Sequence, residues 1–263
     1  MPELPEIEIS RQRLDPKILG RPVREMAILD EGILDGTDPD TLRQGLAGAV
    51  FTGIARFGHF LLLEVDESAV LLLSLSPSAA IEQVRPHEEP PRGTRLGMRF
   101  SDSGGLAVVD PRNQSWLAFI SDESTVPDLG TFGPDALNGR LVPEQWWQAL
   151  HARRAQIKGL LLEPDLIAGV GPGIADEILF QAGIRPDRKA SDLAREEAER
   201  LRVAASATVD KAVRCQARPE QLPNGYLSRA LAEGSEACPK CGEALEKRKI
   251  QGRTTHFCSS CQQ

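Results

Sequence analysis

The first half of the sequence carries short apolar runs interrupted by Asp, Ser, Gly and Pro, a pattern typical of β-strands. Four such runs are LLLEV (61–65), VLLLSLS (70–76), RLGMRFS (95–101) and LAVVD (106–110). A short helix is expected earlier, from Pro5 to Leu14. Because this half is rich in strands and lacks long helical patterns, it predicts a sandwich or a barrel.

In the second half, apolar residues recur at helical spacing. The helical segments are residues 144–163, 174–184 and 191–215, the last with Ser191 as its predicted N-cap. Between the halves, residues 125–145 contain three prolines and three glycines, which predicts a linker.

The change of pattern predicts an α+β protein with two domains and a distinct tail. The predicted division is a β domain at residues 1–133, a helical domain at 134–235 and a cysteine-bearing tail at 236–263. The length of 263 residues is sufficient for two ordinary domains.

The composition is that of a globular protein, with 41% hydrophobic and 26% charged residues. We find no apolar run long enough to span a bilayer and no basic-then-apolar leader, so a cytoplasmic location is expected.

The net charge of −7 argues mildly against a nucleic-acid partner. The tail is nevertheless basic, since residues 238–263 contain two acidic residues against Lys240, Lys247, Arg248, Lys249 and Arg253. A local basic face of this kind can dominate over net charge.

Four of the five cysteines are concentrated in the tail, as C-x2-C, sixteen residues and a second C-x2-C. This spacing allows four thiolates to meet at the corners of a tetrahedron, with a hairpin between them. It predicts one structural Zn²⁺ ion per chain, held by Cys238, Cys241, Cys258 and Cys261. Unpaired thiols or a redox pair are the alternatives. Cys215 lies outside the spacing and is expected to be an ordinary thiol.

The predicted hairpin has the tip QGRTTHF, in which Gly252 permits a tight turn and Arg253 projects beyond it. An arginine in this position suits a nucleic-acid groove. The spacing alone leaves the partner open, because zinc ribbons also bind proteins.

Three separated motifs and one shorter one resemble the formamidopyrimidine-DNA glycosylase / endonuclease VIII family. The motifs are MPELPEIE at the start, IKGLLLEPDLIAGVGPGIADEILFQAGIRP in the middle, GRTT in the zinc hairpin, and DPR at 110–112. The resemblance implies an N-terminal β-sandwich, a helix–two-turn–helix domain and a zinc finger, with double-stranded DNA bound in the cleft between. It further implies a monomer that excises oxidised or ring-opened bases and then cuts the strand at the abasic site.

The resemblance assigns catalysis to the start of the chain. It implies that Met1 is removed and that the nitrogen of Pro2 attacks the sugar to form a Schiff base. A terminal amine with a pKa of about 8 is neutral more often at pH 7 than a lysine amine at about 10.4. Glu3 would be the general acid/base, and Glu6 would hold the terminus in place. A solvated helix position remains the alternative for Glu6 and Glu8.

DNA contacts are also implied by the resemblance. Arg112 would fill the gap left by the extruded nucleotide. Lys158 and the turn Gly169–Gly171 would meet phosphate, since backbone N–H groups at a helix N-terminus form an anion site. Arg253 would clamp a phosphate beside the lesion.

Several positions depart from the family pattern. His59 replaces a catalytic-site lysine, and Pro172 replaces an asparagine that grips phosphate, so at least one of the family's bonds to phosphate should be missing. Ser74 and Pro77 stand where the family has a histidine and an intercalating methionine, and Gln114 replaces a wedge phenylalanine. The chain between Ala212 and Tyr226 is shorter than the family's lesion-capping loop.

Three hypotheses follow from these observations. The first is a DNA glycosylase with abasic-site lyase activity, supported by the intact PELPE start and the zinc tail. The second is a catalytically weakened relative that binds damaged or unusual DNA without cutting it. The third, suggested by the acidic balance, is a zinc-ribbon protein that acts through partner proteins.

Overall fold

A computed structural model describes residues 2–66, 69–101, 104–121, 132–137 and 141–263 of the chain, with the side chains of residues 15 and 16 left out. Met1 and most of the predicted linker therefore lie outside the described residues. The chain divides into two compact units, Met1–Pro2 with Ile7–Leu129, and Glu3–Glu6 with Gly130–Gln263. The three-part division at residues 133 and 235 stays a prediction.

The first unit contains two antiparallel four-stranded sheets with orders β2-β3-β4-β8 and β1-β6-β7-β5. The strands are β1 (Val23–Ile28), β2 (Phe51–Phe57), β3 (Phe60–Val65), β4 (Ala69–Ser74), β5 (Ala80–Val84), β6 (Thr94–Phe100), β7 (Gly105–Val109) and β8 (Trp116–Ile120). Two helices accompany them, α1 (Leu4–Ile18) and α2 (Pro39–Leu46).

The two sheets share one hydrophobic core, so the first unit is a β-sandwich. Leu61 and Leu73 of one sheet and Leu96 of the other all belong to this core and are at most 2% exposed. The rings of Phe51 and Phe100 meet edge to face across it, with centroids 6.5 Å apart. Strand β4 lies between β3 and β8, which explains its unbroken apolar sequence.

The second unit is mainly helical. It contains α3 (Pro143–His151), α4 (Ile157–Leu161), α5 (Pro172–Ala182), α6 (Arg195–Arg214), α7 (Leu227–Ala232) and a hairpin of β9 (Glu246–Ile250) and β10 (Arg253–Phe257). The apolar faces of α3 to α6 and the side chain of Leu4 form a separate core. Helix α5 ends where Gly183 adopts a left-handed conformation, with φ of +71°.

The predicted α+β class, with N-terminal strands, C-terminal helices and a terminal cysteine cluster, is confirmed. The four predicted strands correspond to β3, β4, β6 and β7. The helical pattern over 144–163 is divided into α3 and α4, which are separated by residues 152–156.

The predicted N-cap at Ser191 is wrong. Ser191 lies in a short 3-10 turn, and α6 begins only at Arg195. The Glu197 carboxylate accepts a hydrogen bond from the Ala194 N–H at 2.8 Å and pairs with Arg188 at 2.6 Å. A carboxylate inside the first turn therefore caps the helix in place of the serine.

The described residues include no helix that is both long and apolar enough to cross a membrane.

Candidate active site

The Glu3 carboxylate binds the N-terminus of helix α5. Its two oxygens accept hydrogen bonds from the backbone N–H groups of Gly173 at 2.9 Å and Ile174 at 2.8 Å. The adjacent Leu4 N–H donates to the Gly169 carbonyl at 2.8 Å. The free N–H groups of a helix start form an anion site, and here the anion is a side chain of the protein itself.

Gly171 and Pro172, at the start of α5, allow the Glu3 carboxylate to reach the helix N–H groups. Pro172 occupies the first helical position, where a missing N–H costs no helical hydrogen bond. A β-carbon on Gly171 would lie 2.5 Å from the Glu3 carboxyl carbon, so only glycine leaves room for that side chain. The N–H groups of Gly173 and Ile174, at the start of the same helix, bind Glu3. The contact of Gly171 with phosphate stays a prediction.

Burial raises the pKa of the Glu3 carboxyl above its usual range, although the two backbone hydrogen bonds oppose this shift. Burial also raises the pKa of Glu6, and the nearby Glu3 charge adds to the effect. Both side chains line a cavity of about 280 Å³, together with Pro5, His256, residues of α5 and several residues between Ala212 and Leu231. A carboxyl group beside a cavity, with its pKa raised by burial, is suited to general acid/base catalysis.

Pro2 and His59 belong to the first unit, and Pro2 directly precedes Glu3 in sequence. His59 lies in the tight turn between β2 and β3, where its ring contacts that of Phe60 at a centroid distance of 4.1 Å. Burial lowers the pKa of His59, which favours the neutral imidazole. A catalytic role for His59 at the family's lysine position stays a prediction.

Glu6 and Glu8 occupy different environments. Glu6 as a residue is exposed to solvent, although protein atoms surround its carboxyl group at the cavity, whereas Glu8 is 7% exposed. The Glu8 carboxylate pairs with Arg56 at 2.9 Å and with Arg11 at 2.9 Å. Glu8 is therefore a buried ion-pair partner within the first unit, and the solvated alternative for it is wrong.

Pro77, Arg112 and Gln114 stand at the positions predicted to fill the gap left in the DNA. They lie on two loops, which the Asp110 carboxylate holds together. Asp110 is fully buried, and its oxygens accept hydrogen bonds from the Ser76 hydroxyl at 2.9 Å and the Arg112 N–H at 3.2 Å. Further bonds come from the N–H groups of Gln114 at 2.7 Å and Ser115 at 2.6 Å. The Arg112 side chain is exposed, and its role against an orphaned base stays a prediction.

We expect Asp110→Asn to lower the free energy of unfolding by about 2–4 kcal/mol at pH 7, because an amide provides only one acceptor oxygen for these donors. Burial opposes ionisation of Asp110, but the hydrogen bonds outweigh it and hold the pKa of Asp110 well below its usual range. Its contribution is therefore complete above a pH of about 4 and is lost as the pH falls through the lowered value. Urea unfolding of both proteins at several pH values measures this difference.

The exposed Asp40 provides a control, since Asp40→Asn should change stability by less than about 0.5 kcal/mol. A stability difference for Asp110→Asn that did not shrink below about pH 4 would contradict the role of its charge.

The four tail cysteines converge, with their sulfur atoms all within 4.8 Å of one another. The Cys238 and Cys261 sulfurs are 3.8 Å apart, and those of Cys241 and Cys258 are 3.6 Å apart. Metal–sulfur bonds of about 2.3 Å in a tetrahedron place the sulfurs about 3.8 Å apart, so the cluster fits a tetrahedral metal ion. These distances are too long for disulfide bonds.

Helix α4 holds the hairpin through Lys158. The Lys158 ammonium is completely buried, lies 2.6 Å from an Asp176 oxygen, and donates to the Thr254 carbonyl at 2.9 Å and the Thr255 hydroxyl at 2.7 Å. A contact between Lys158 and phosphate would require these bonds to break, and it stays a prediction. Asp176 belongs to none of the predicted site residues, although adjacent acidic residues in an apolar helix signal buried carboxylates.

The hairpin turn consists of Gln251 and Gly252, with φ of +47° and +75°. This conformation matches the two-residue turns that favour glycine. Arg253 follows at the start of β10 and is exposed to solvent, whereas Lys158 is buried. Its contact with phosphate stays a prediction.

Two family profiles match the chain, the formamidopyrimidine-DNA glycosylase N-terminal domain at residues 1–117 and the H2TH domain of the same enzyme at 132–222. The formamidopyrimidine-DNA glycosylase of Exiguobacterium sp. is 31% identical over 275 residues, with 100% of both chains covered. That of Geobacter metallireducens is 32% identical over 268 residues, also with 100% of both covered.

Two solved structures of the Lactococcus lactis enzyme are similar in fold. One, bound non-covalently to DNA containing an abasic site, has a TM-score of 0.86 and 25% identity, with 99% of each chain covered. The other, in complex with DNA containing FAPY-dG, has a TM-score of 0.89 and 26% identity, with 99% of this chain and 100% of that chain covered.

Proposed function

Because this chain belongs to the formamidopyrimidine-DNA glycosylase family, we propose that it removes damaged bases from double-stranded DNA and cleaves the strand at the resulting abasic site. Relatives are named formamidopyrimidine-DNA glycosylase, and similar solved structures contain DNA with an abasic site or FAPY-dG. The observation that carries the proposal for this chain is the fixed, half-buried Glu3 carboxylate, next to Pro2 in sequence and beside a cavity of about 280 Å³.

Pro2 is the proposed nucleophile after removal of Met1. Its neutral nitrogen attacks C1′ of the deoxyribose, and the C1′–base bond breaks with its electron pair leaving on the base. Ring opening then gives a cationic iminium linking Pro2 to C1′. The iminium accepts the electrons of the C2′–H bond, so the 3′ phosphate leaves by β-elimination, and the 5′ phosphate leaves by δ-elimination.

Glu3 is the proposed general acid/base. Burial raises the pKa of Glu3, which favours its role as the donor of a proton to the ring oxygen of the sugar as the ring opens. The resulting carboxylate is stabilised by the N–H groups of Gly173 and Ile174. Glu6 faces the same cavity and is proposed to hold the terminus in place.

The experiment that tests the function uses duplexes that carry single defined lesions. Strand cleavage is measured on an abasic site, a ring-opened purine, an oxidised pyrimidine and 8-oxoguanine, each beside its undamaged counterpart. Cleavage of the abasic duplex and at least one damaged base is the expected result, whereas binding without cleavage of any duplex would contradict the proposal.

The metal in the cysteine cluster is proposed to be Zn²⁺, with a structural role. All four ligands are sulfur, which leaves no open position for a substrate, and the small hairpin needs the metal to fold. The chain is further proposed to act as a monomer in the cytoplasm.

Metal analysis should find one zinc per chain, and Cys258→Ala should lose that zinc and weaken binding to damaged DNA at least about tenfold, because the basic hairpin unfolds. Arg253→Ala is the matched control for the metal. It should keep the zinc and still weaken binding, with a smaller dependence of affinity on salt. Unchanged DNA affinity after zinc loss would contradict the assignment.

A further inference from the structure

The loop that carries Arg112 connects the two sheets of the first unit. It comprises residues 110–115, leaves β7 of one sheet and enters β8 of the other, and we call it the Arg112 loop. Arg112 and Gln114 are exposed on this loop, whereas Asp110 and Ser115 at its two ends are buried. Its exposed side chains are therefore presented to solvent from two buried ends.

The end of the Arg112 loop is held by Arg95 of strand β6. The Arg95 side chain is buried, and its Nη1 donates a hydrogen bond to the Ser115 carbonyl at 2.9 Å. Strand β6 belongs to the sheet that the loop leaves, whereas Ser115 directly precedes β8 of the other sheet. The guanidinium therefore connects the two sheets at the point where the loop ends, while Asp110 binds the N–H groups within the loop.

Asp30 orients the Arg95 guanidinium. An Asp30 oxygen accepts from the Arg95 Nε at 3.0 Å, and the Asp30 N–H donates to the Arg95 carbonyl at 3.1 Å. The chain after Asp30 is itself bound to β8, since the Asp35 N–H donates to the Leu117 carbonyl at 2.8 Å. Because a guanidinium is planar, its bond to Asp30 fixes the direction in which its other nitrogens donate.

Stability alone gives a weak reason for an arginine at position 95. Apolar residues of similar volume often replace a buried ion pair without loss of stability. What the arginine provides is a directed donor, which fixes the carbonyl of one peptide at the end of the Arg112 loop. The precise position of that peptide matters most to the exposed residues that the loop presents.

We propose that Arg95 is a positioning residue for base removal, which fixes the end of the Arg112 loop so that Arg112 enters the gap left by the extruded nucleotide. This inference rests on the proposed function and deepens it. Because Arg95 is buried, it acts through the loop and makes no contact with DNA.

The first test is spectroscopic and needs no catalysis. The probe is a duplex in which 2-aminopurine stands opposite a tetrahydrofuran abasic-site analogue, which the enzyme cannot cleave. Entry of Arg112 beside the orphaned base changes the stacking of 2-aminopurine and therefore its fluorescence. At saturating protein we expect a clear change in emission with the wild-type protein and little change with Arg112→Ala.

Arg95→Lys should reduce this change in emission at least about threefold. Lysine keeps a positive charge near Asp30, but one ammonium group does not reproduce the fixed fork of the guanidinium. Arg99→Lys is the matched control, because Arg99 lies on the same strand and also donates to a backbone carbonyl, that of Glu88 at 2.7 Å. It should give the wild-type emission.

The second test measures kcat/KM for removal of a damaged base. We expect Arg95→Lys to lower it about 5–50-fold, since a small displacement of a positioned group has effects of this size. If Arg95 acts through Arg112, the variant that combines Arg95→Lys with Arg112→Ala should be within about twofold of Arg112→Ala alone. Arg99→Lys should keep the wild-type value.

Asp30→Asn keeps the inference testable if Arg95→Lys does not fold. It removes the charge that orients the guanidinium at a half-buried position, and it should reduce the change in emission by a smaller factor. No emission change with the wild-type protein, a wild-type signal from folded Arg95→Lys, or multiplied losses in the double variant would overturn the inference. If the wild-type protein cleaves no duplex, the proposed function fails instead, and the emission from the uncleavable duplex alone decides whether Arg95 positions the loop.

Discussion

Replacing Pro2 with glutamine should abolish covalent capture of DNA and lower base removal by on the order of 10³-fold or more. A large residue at position 2 prevents removal of Met1, so the nitrogen at position 2 becomes part of a peptide bond. An amide nitrogen cannot attack C1′, and the remaining amine is primary and displaced by one residue from Glu3. Single-turnover cleavage of a lesion-bearing duplex measures the decrease.

Two controls make this result interpretable. Intact mass must show Met1 retained in Pro2→Gln and absent from the wild-type protein. Pro86→Gln, at an exposed turn in the first unit, should cleave at the wild-type rate. A Pro2→Gln protein that retained Met1 and still cleaved at more than about a tenth of the wild-type rate would show that another group is the nucleophile.

Replacing Glu3 with glutamine should lower kcat for base removal by about 10²–10⁴-fold, the range for loss of a positioned acid or base. Glutamine cannot donate the proton that opens the sugar ring, and its single acceptor oxygen leaves either Gly173 or Ile174 without its hydrogen bond. Because Glu3 is proposed to act in the chemical step, the affinity for damaged DNA should change less than about threefold.

Rapid-quench cleavage and equilibrium binding on the same duplex separate these two effects. Glu25→Gln, at an exposed position of β1, is the matched control and should leave both unchanged. A decrease in affinity in proportion to the decrease in rate would instead assign Glu3 to the structure of the DNA-binding surface.

The strands that sequence patterns predicted are those with long apolar runs. Strand β4 has the almost entirely apolar sequence AVLLLS because it is central and buried, and its prediction is confirmed. Strands β1 and β5 mix polar and apolar residues and are mostly half-buried or exposed, with sequences VREMAI and AIEQV, so no unbroken apolar run identifies them. Their pairing with β6 and β7 is fixed by long-range backbone hydrogen bonds, which local patterns do not encode.

Cysteine spacing was sufficient to predict the metal cluster, because two C-x2-C pairs sixteen residues apart are typical of a site in which four thiolates bind one metal ion. The environment of Lys158 was not predictable in the same way. Its burial depends on Asp176 and on the hairpin, which is 96 residues away at Thr254. Sequence motifs identify such a lysine as important without showing whether its ammonium faces a ligand or a protein carboxylate.

Pro172 stands where the family has an asparagine. The sequence predicts the loss of a phosphate contact there, and the structure shows what the proline does instead. Proline cannot provide the asparagine side chain, but it begins α5 and leaves the next two N–H groups directed at Glu3. The helix start therefore serves the proposed catalytic carboxylate, whether or not an asparagine is present to bind phosphate.

The central claim is that the processed N-terminus forms a covalent bond with deoxyribose, and borohydride trapping on a duplex with one abasic site tests it most directly. Borohydride reduces the iminium to a stable amine, and peptide mapping locates the attached sugar. The account predicts a one-to-one adduct on Pro2, in protein whose intact mass lacks Met1. No adduct from protein of that mass, or an adduct on a lysine side chain, would contradict it.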